Sequence, residues 1–341
     1  MSVFNVEQLS APVSDEFPSG VNLEYEPEFG ELDRAAQGKP EQVMGDEVVA
    51  AEKPDWSAVF GQGQDLLGKT KDLRIAVNLM RAALSLHGPQ GLADGVALIR
   101  GLLEQHWDTV HPQLDAEDND DPTFRVNCLM PLGDHDGILH DLLDMTLVNS
   151  KVVGRFNLRD IRVATGALHP PEGVESVPDT ALINAAFMDC DLDELKADAA
   201  NIDKALEDAG KSEAIFAENI GAANSPNIDG FVSELKEIKK IYAENLIARG
   251  VGVEMPDGAD GVAGSHAPIT GEVNSREDAV RMIDKICMYY ERNEPSSPVP
   301  LLLQRAKRLV SKDYLDIVRD LTPDSVAQAE LLGGIKHDDG Y

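Results

Sequence analysis

The sequence predicts a mostly helical, all-α protein. Aromatic residues make up only 5% of the chain. Leu and Ala recur at three- and four-residue spacing, and alternating runs rich in Val, Ile and Thr are scarce. At 341 residues and 43% apolar content the chain can bury a sizeable core in two or three domains. Residues 1–54 carry many turn-formers, among them Pro12, Pro18, Gly20, Pro27, Gly38, Pro40, Gly45 and Pro54. They predict an irregular lead-in with short helices at most, near Phe29–Ala36.

The pattern sharpens after that. Asp55 is placed to cap a helix with Trp56, Val59, Phe60, Gly63 and Leu67 turned inward, and Asp72 a second that is apolar nearly all round from Leu73 to Leu86. Gly88-Pro89 stops the second, and a third runs from Gly91 to Trp107, with Trp107 expected in the core close to Trp56. Asp121-Pro122 restarts the helical pattern with Pro in the first turn. Residues 147–163 mix β-branched residues with Gly154 and read as a short hairpin. Helices follow at Thr180–Asp189, Leu192–Ala209 and Glu213–Ala223, and Ser225-Pro226 opens the longest, reaching Arg249.

Residues 250–274 hold six glycines and no apolar periodicity, the mark of a flexible linker. The expected organisation is a helical domain over 1–249, the linker over 250–274 and a small helical domain over 275–341. Ser297 and Pro298 open a helix there through Leu302, Ala306, Leu309 and Val310.

Charge excludes some functions. Thirty Lys and Arg stand against 61 Asp and Glu, a net of −31, so phosphate backbones and anionic lipid surfaces are repelled. Nucleic acid is therefore not an expected partner. No run approaches 18 apolar residues, and the opening residues lack a basic segment followed by an apolar one, so neither membrane insertion nor a conventional export signal is expected. Cys128, Cys190 and Cys287 form no CxxC pair, which implies neither a disulfide framework nor a thiolate zinc site and fits a reducing cytoplasm. Residues 276–319 carry nine basic and seven acidic residues, a net of +2 that leaves −33 for the remainder.

One pattern resembles chemistry. Gly63-Gln-Asp-Leu-Leu-Gly68-Lys69-Thr70 satisfies the phosphate-loop spacing G-x-x-x-x-G-K-[ST]. Such a loop should leave a buried parallel strand, whereas the residues before it continue a helical stripe and Asp65 puts negative charge where phosphate would sit. The expected reading is a helix-to-helix corner with Lys69 exposed, and a nucleotide-hydrolysing enzyme is the competing one. The acidic run Asp115–Asp121 lacks the glycine and the terminal glutamate of a calcium loop. His106/His111 and His135/His140 are five residues apart, poor spacing for a shared metal. No G-x-S-x-G elbow occurs. Catalytic, cofactor and metal residues are accordingly expected to be none. The candidate contact surface lies at the other end, where Arg305, Arg308 and Lys312 share one helical face and Leu302 and Leu309 lie elsewhere on the same helix.

The first half resembles a known family. Pro18-Ser-Gly20 with Leu23, Tyr25, Pro27 and Phe29, Gly45-Asp46, Asp55-Trp56, Lys71-Asp72-Leu73-Arg74, Gly91-Leu92 with Gly95, Trp107-Asp-Thr-Val-His111-Pro112, Asp121-Pro122 and Arg125 look like the ImpA N-terminal domain of TssA proteins from bacterial type VI secretion. Pro295-Ser-Ser-Pro-Val-Pro300 with Arg305-Ala-Lys-Arg-Leu309 resembles the short, ring-forming branch of that family. The resemblance implies an assembly component without cofactors. It would form a homo-oligomer through its C-terminal domain and meet baseplate, tube and sheath proteins at the cytoplasmic face of the apparatus. An acidic helical adaptor or chaperone is the remaining alternative.

Overall fold

The computed structural model describes residues 2–39, 42–44, 47–49, 52–135, 137–170, 177–251, 283, 286, 287 and 298–309. The chain divides into two units, Met1–Met255 and Pro256–Tyr341. The fold is mostly helical. The lead-in carries α1 (Val6–Ser10) and α2 (Pro27–Gln37), then a small antiparallel pair, β1 (Gln42–Met44) and β2 (Glu47–Val49), which the sequence did not announce.

Two long helices build the centre. Asp55 caps α3 (Trp56–Leu67) by accepting from the Ala58 N–H at 3.0 Å, and Asp72 caps α4 (Leu73–His106) by accepting from the Arg74 N–H at 2.8 Å. Helix α4 folds back on itself at Gly88, whose φ of 57° suits glycine, with Pro89 opening the return arm. The arms touch where side chains vanish: a Cβ on Gly91 would sit 2.0 Å from the Ala83 carbonyl oxygen. Helix α3 seats Val59, Gly63, Leu66 and Leu67 on this hairpin, joining one continuous core from Phe4 to Tyr242.

After the hairpin come α5 (Thr123–Asn127), α6 (Ile138–Asp144), β3 (Thr146–Ser150), β4 (Gly154–Asn157) and α7 (Leu158–Ala164). The predicted hairpin is real but ends at Asn157, because Asn157 and Asp160 form a reciprocal capping box that turns residues 158–164 into a helix. Then follow α8 (Thr180–Asp189), α9 (Leu192–Ile220) and α10 (Asp229–Ala248).

Two expectations about these helices are corrected. Residues 192–220 form one helix of 29 residues, which makes it longer than α10, with 20. Gly210 costs about 1 kcal/mol in a helix interior, but Ala209, Ser212 and Phe216 on either side are buried, and that packing overrides the local break. Ser225-Pro226 opens no helix either: Ser225 ends a short 3₁₀ turn, and α10 begins at Asp229.

The two tryptophans lie at opposite ends of the bundle rather than together, and both are half-buried. Trp56 starts α3 and carries Arg81 over its ring at 5.0 Å, while Trp107 meets Phe216 edge-on at 5.2 Å. Antiparallel packing of α3 on the first arm of α4 enforces this, because residues 107–111 return beside Lys71 at the far end of α3.

In the second unit, α11 (Val299–Leu309) is helical, starting one residue after Pro298. The glycine-rich stretch lies outside the described residues beyond Val251. Among the described residues no helix is long and apolar enough to cross a membrane.

The close approach of the α4 arms generates a prediction. Gly91→Ala should lower stability by at least about 2 kcal/mol, because the added methyl meets backbone that cannot give way. Chemical denaturation of the full chain checks it, with Gly61→Ala, where a Cβ meets nothing within 4 Å, as the control.

Candidate functional site

Several residues that carry the family resemblance, Ser19-Gly20, Lys71–Arg74, Trp107–Pro112 and Arg125, converge at one end of the bundle, where irregular backbone must be held by side chains. Arg125 is wholly buried, and its guanidinium donates to three carbonyls of the segment after α4: Trp107 at 2.6 Å, Val110 at 2.9 Å and Pro112 at 3.0 Å. It also lies over the Trp107 ring at 4.9 Å. Burial pulls its pKa down to about 10, which leaves it protonated at neutral pH.

Lys71 does the same for the lead-in. Its ammonium donates to Leu9 O at 2.8 Å and Leu67 O at 2.7 Å, tying α1 to the end of α3, and burial lowers its pKa to about 8. His106 holds Ser10 O at 2.7 Å and His111 holds Gly20 O at 3.2 Å through their Nε2 atoms. Asp72, fully buried, pairs with Arg74 at 2.7 Å, and Arg74 reaches Glu24 at 3.0 Å and covers the Phe29 ring. Gly20, at φ +67°, passes so close to the Lys69 carbonyl that a Cβ would sit 2.3 Å from its oxygen.

This geometry absorbs the sequence candidates for chemistry. Gly63 lies inside α3 against Leu79, and Lys69 stands on the corner, half exposed and paired with Glu28 at 2.6 Å. Thr70 is buried and donates its hydroxyl to Ser19 O at 3.2 Å. A phosphate cradle needs the Lys69 ammonium and the Thr70 hydroxyl side by side at a helix start. Here one is spent on a carboxylate and the other on backbone, so the nucleotide reading is set aside. In the acidic run, Asp115 and Asp121 cap neighbouring N–H groups of Glu117 and Thr123. Among the described residues no group of three or more His, Cys, Asp or Glu is placed to hold a metal ion. Sequence reasoning did not single out Lys71 or Arg125 as buried cations. The available signal was their place beside the caps Asp72 and Asp121-Pro122, Lys71 between α3 and α4 and Arg125 in the single turn and a half of α5.

Of the predicted contact residues on α11, Leu302 is 67% exposed, as is Leu301 at 72%, and Arg305 is exposed. Arg308 and Leu309 continue the helix, with side chains outside the described residues, and Lys312 lies outside them altogether. The N-terminal unit also has a groove of about 1100 Å³ whose walls include Asp33, Arg81, Asp141, Asp191, Glu194 and Asp198. Burial, with Glu194 beside it, pushes Asp198 up to about 6.

Fold and site together define an α-helical bundle in which a buried lysine pins the lead-in and a buried arginine the segment after α4. The family model described as ImpA, N-terminal, type VI secretion system matches residues 10–134. The type VI secretion system component TssA1 of Pseudomonas aeruginosa (strain PAO1) is 39% identical over 345 residues, covering 97% of this chain and 99% of that protein. The chain therefore belongs to the TssA family. In fold it is similar to the N-terminal domain, including the conserved ImpA_N region, of the TssA component from Burkholderia cenocepacia. That match has a TM-score of 0.56 at 23% identity and covers 72% of this chain and 95% of that one.

Two predictions follow from this geometry. Arg125→Ala should destabilise by about 3–5 kcal/mol, because three carbonyls, that of Val110 buried, lose their donor and a wholly buried side chain leaves a cavity, whereas Lys69→Ala should change stability by no more than about 0.5 kcal/mol and leave no nucleotide affinity to lose. Denaturation and nucleotide titration measure both. For Asp198, a folded-state pKa above the unfolded value means stability is greatest below about pH 4 and falls as pH rises through about 6. Asp198→Asn should therefore gain on the wild type above pH 6 and match it near pH 4, as a pH series of melting curves would record.

Proposed function

We propose that the protein is a structural assembly component of the type VI secretion machinery. It joins copies of itself into a ring through its C-terminal unit, sits with the baseplate at the cytoplasmic face, and starts or guides growth of the contractile sheath and inner tube. The observation that carries this reading is relatedness along nearly the whole chain to a type VI secretion component, a span that includes both units. The exposed Leu301-Leu302 pair and Arg305 on α11 supply an apolar and basic surface suited to self-association, and symmetric closure is the usual outcome of a self-complementary patch. The work is architectural: the polar side chains of the family signature are spent on backbone carbonyls and helix caps, and a net charge of −31 keeps nucleic acid away.

The mass of the full chain in solution tests the reading. The wild type should run as a high-order oligomer, and Leu301→Asp with Leu302→Asp should reduce it to monomer or dimer without loss of helical content. Arg305→Glu with Arg308→Glu, or added salt, should weaken it in the same direction. A monomeric or dimeric wild type would remove the ring and leave the acidic adaptor in its place.

A further inference from the structure

The end of the bundle secured by Arg125 and Lys71 carries large apolar side chains that the fold does not use. Phe17 is 58% exposed, Val21 64%, Tyr25 93% and, from α5, Phe124 65%. The two segments are linked through the groups between them. Glu24, next to Tyr25, pairs with Arg74, and the charges of Glu24, Arg74 and Asp72 all act on the buried Cys128 thiol. That thiol donates to the carbonyl of Phe124 at 3.2 Å. On the other side, Gly20 O lies 3.2 Å from His111 Nε2, and Arg125 bridges from Phe124's neighbouring position to Pro112 O at 3.0 Å. The segments that carry these four exposed side chains thus flank one charged latch, and together they make up the patch at this end of the N-terminal unit.

We propose that this patch docks a partner protein that presents an aliphatic or aromatic side chain ringed by lysine or arginine. Charge selects the partner. Residues 12–28 contain five carboxylates, Asp15, Glu16, Glu24, Glu26 and Glu28, and no Lys or Arg, and all five are exposed. Arg74 and Lys69, the cations nearest to them, are already paired with Asp72, Glu24 and Glu28. A second copy of this face would set Asp15, Glu16 and Glu26 of each copy, six carboxylates, against one another, so self-association here is disfavoured, and the same charge rejects nucleic acid and anionic lipid.

Rigidity makes the surface effective. Ser19 O accepts from the Lys71 N–H at 2.7 Å and the Thr70 hydroxyl at 3.2 Å, and Asn22 Oδ1 accepts from the Glu24 N–H at 3.0 Å. A segment without helix or strand is therefore held in one conformation, and docking pays little ordering entropy. A nearly fully exposed tyrosine on a rigid, acid-rimmed base has the features of an interface anchor, since such side chains bury large area with few rotamers to freeze.

The test uses the full chain in its own cells with the photo-crosslinking residue p-benzoyl-phenylalanine in place of Val21. Irradiation should join it to one protein through a segment that carries an apolar side chain between basic residues. Yield should fall about tenfold with Tyr25→Ala and Phe124→Ala, and comparably with Asp15→Lys, Glu16→Lys and Glu26→Lys. The melting temperature should stay within about 2 °C and the oligomeric mass should be unchanged, since these side chains are exposed and outside the C-terminal unit. Crosslinks only to a second copy, to a segment without basic residues or to no protein above background would overturn the proposal. So would equal yields in both sets of variants. An unchanged mass beside a lost crosslink separates this surface from the ring reading.

Discussion

The N-terminal unit depends on one guanidinium. Arg125 gathers the carbonyls of Trp107, Val110 and Pro112, three backbone groups of a segment that is neither helix nor strand, of which that of Val110 is buried. That segment then supplies the partners of the lead-in: His111 exchanges backbone hydrogen bonds with Lys71 and Leu73, and its ring reaches Gly20. Lys71 in turn holds α1 against α3. Each link positions the next, so loss of the first leaves the others without a fixed target. Carbonyl acceptors let both cations be buried without a carboxylate facing either one, which avoids matching two desolvated charges of opposite sign in the interior.

Helix starts were legible where the cap is a side chain followed by an apolar stripe. Asp55, Asp72, Asp179 and Asp191 each accept from N–H groups of the first turn, and the Gly88-Pro89 break reads directly as the fold of α4. Reading failed where long-range packing decided the matter. Nothing local tells Gly210-Lys211-Ser212 to stay helical, because the reason is burial of Ala209, Ser212 and Phe216. Trp56 and Trp107 share a stripe-end character in sequence yet belong to opposite ends, since strictly antiparallel arms separate what a linear pattern groups. The β1–β2 pair has three residues to a strand, too short for alternation to register.

The site was legible in the same uneven way. The phosphate-loop spacing is met in full and means something else, because a motif needs its context and here α3 runs straight through the first glycine. The docking patch left a fainter trace: Phe17, Val21 and Tyr25 stand four residues apart, but Pro18, Gly20 and Pro27 among them deny the segment a helix. Large apolar residues are ordinarily drawn into the core, as Phe29 is near the start of α2. The sequence puts Phe29 at the start of an expected helix and Tyr25 among the turn-formers before it, but nothing in it says which of the two is buried. Their sides of α2's first turn do, because Phe29 lies under Arg74 while Tyr25 precedes the helix and faces water.

Charge ties these observations to assembly. Lys71 and Arg125 are withdrawn into the interior, but so are Asp72, Asp94 and Asp208, so burial leaves the acidic balance of the sequence on the surface of the N-terminal unit. An acidic unit repels its own copies, so in the proposed ring self-association falls to another part of the chain, where residues 276–319 carry the opposite net charge of +2. Repulsion between N-terminal units then has a constructive consequence for a ring. It disfavours contacts of those units with one another and leaves their faces open to partners that bring positive charge. Such contacts gain speed and selectivity from electrostatics, whereas their lifetime depends on apolar anchors. Tyr25 and Phe124, rigid and exposed amid carboxylates, combine both requirements on one surface.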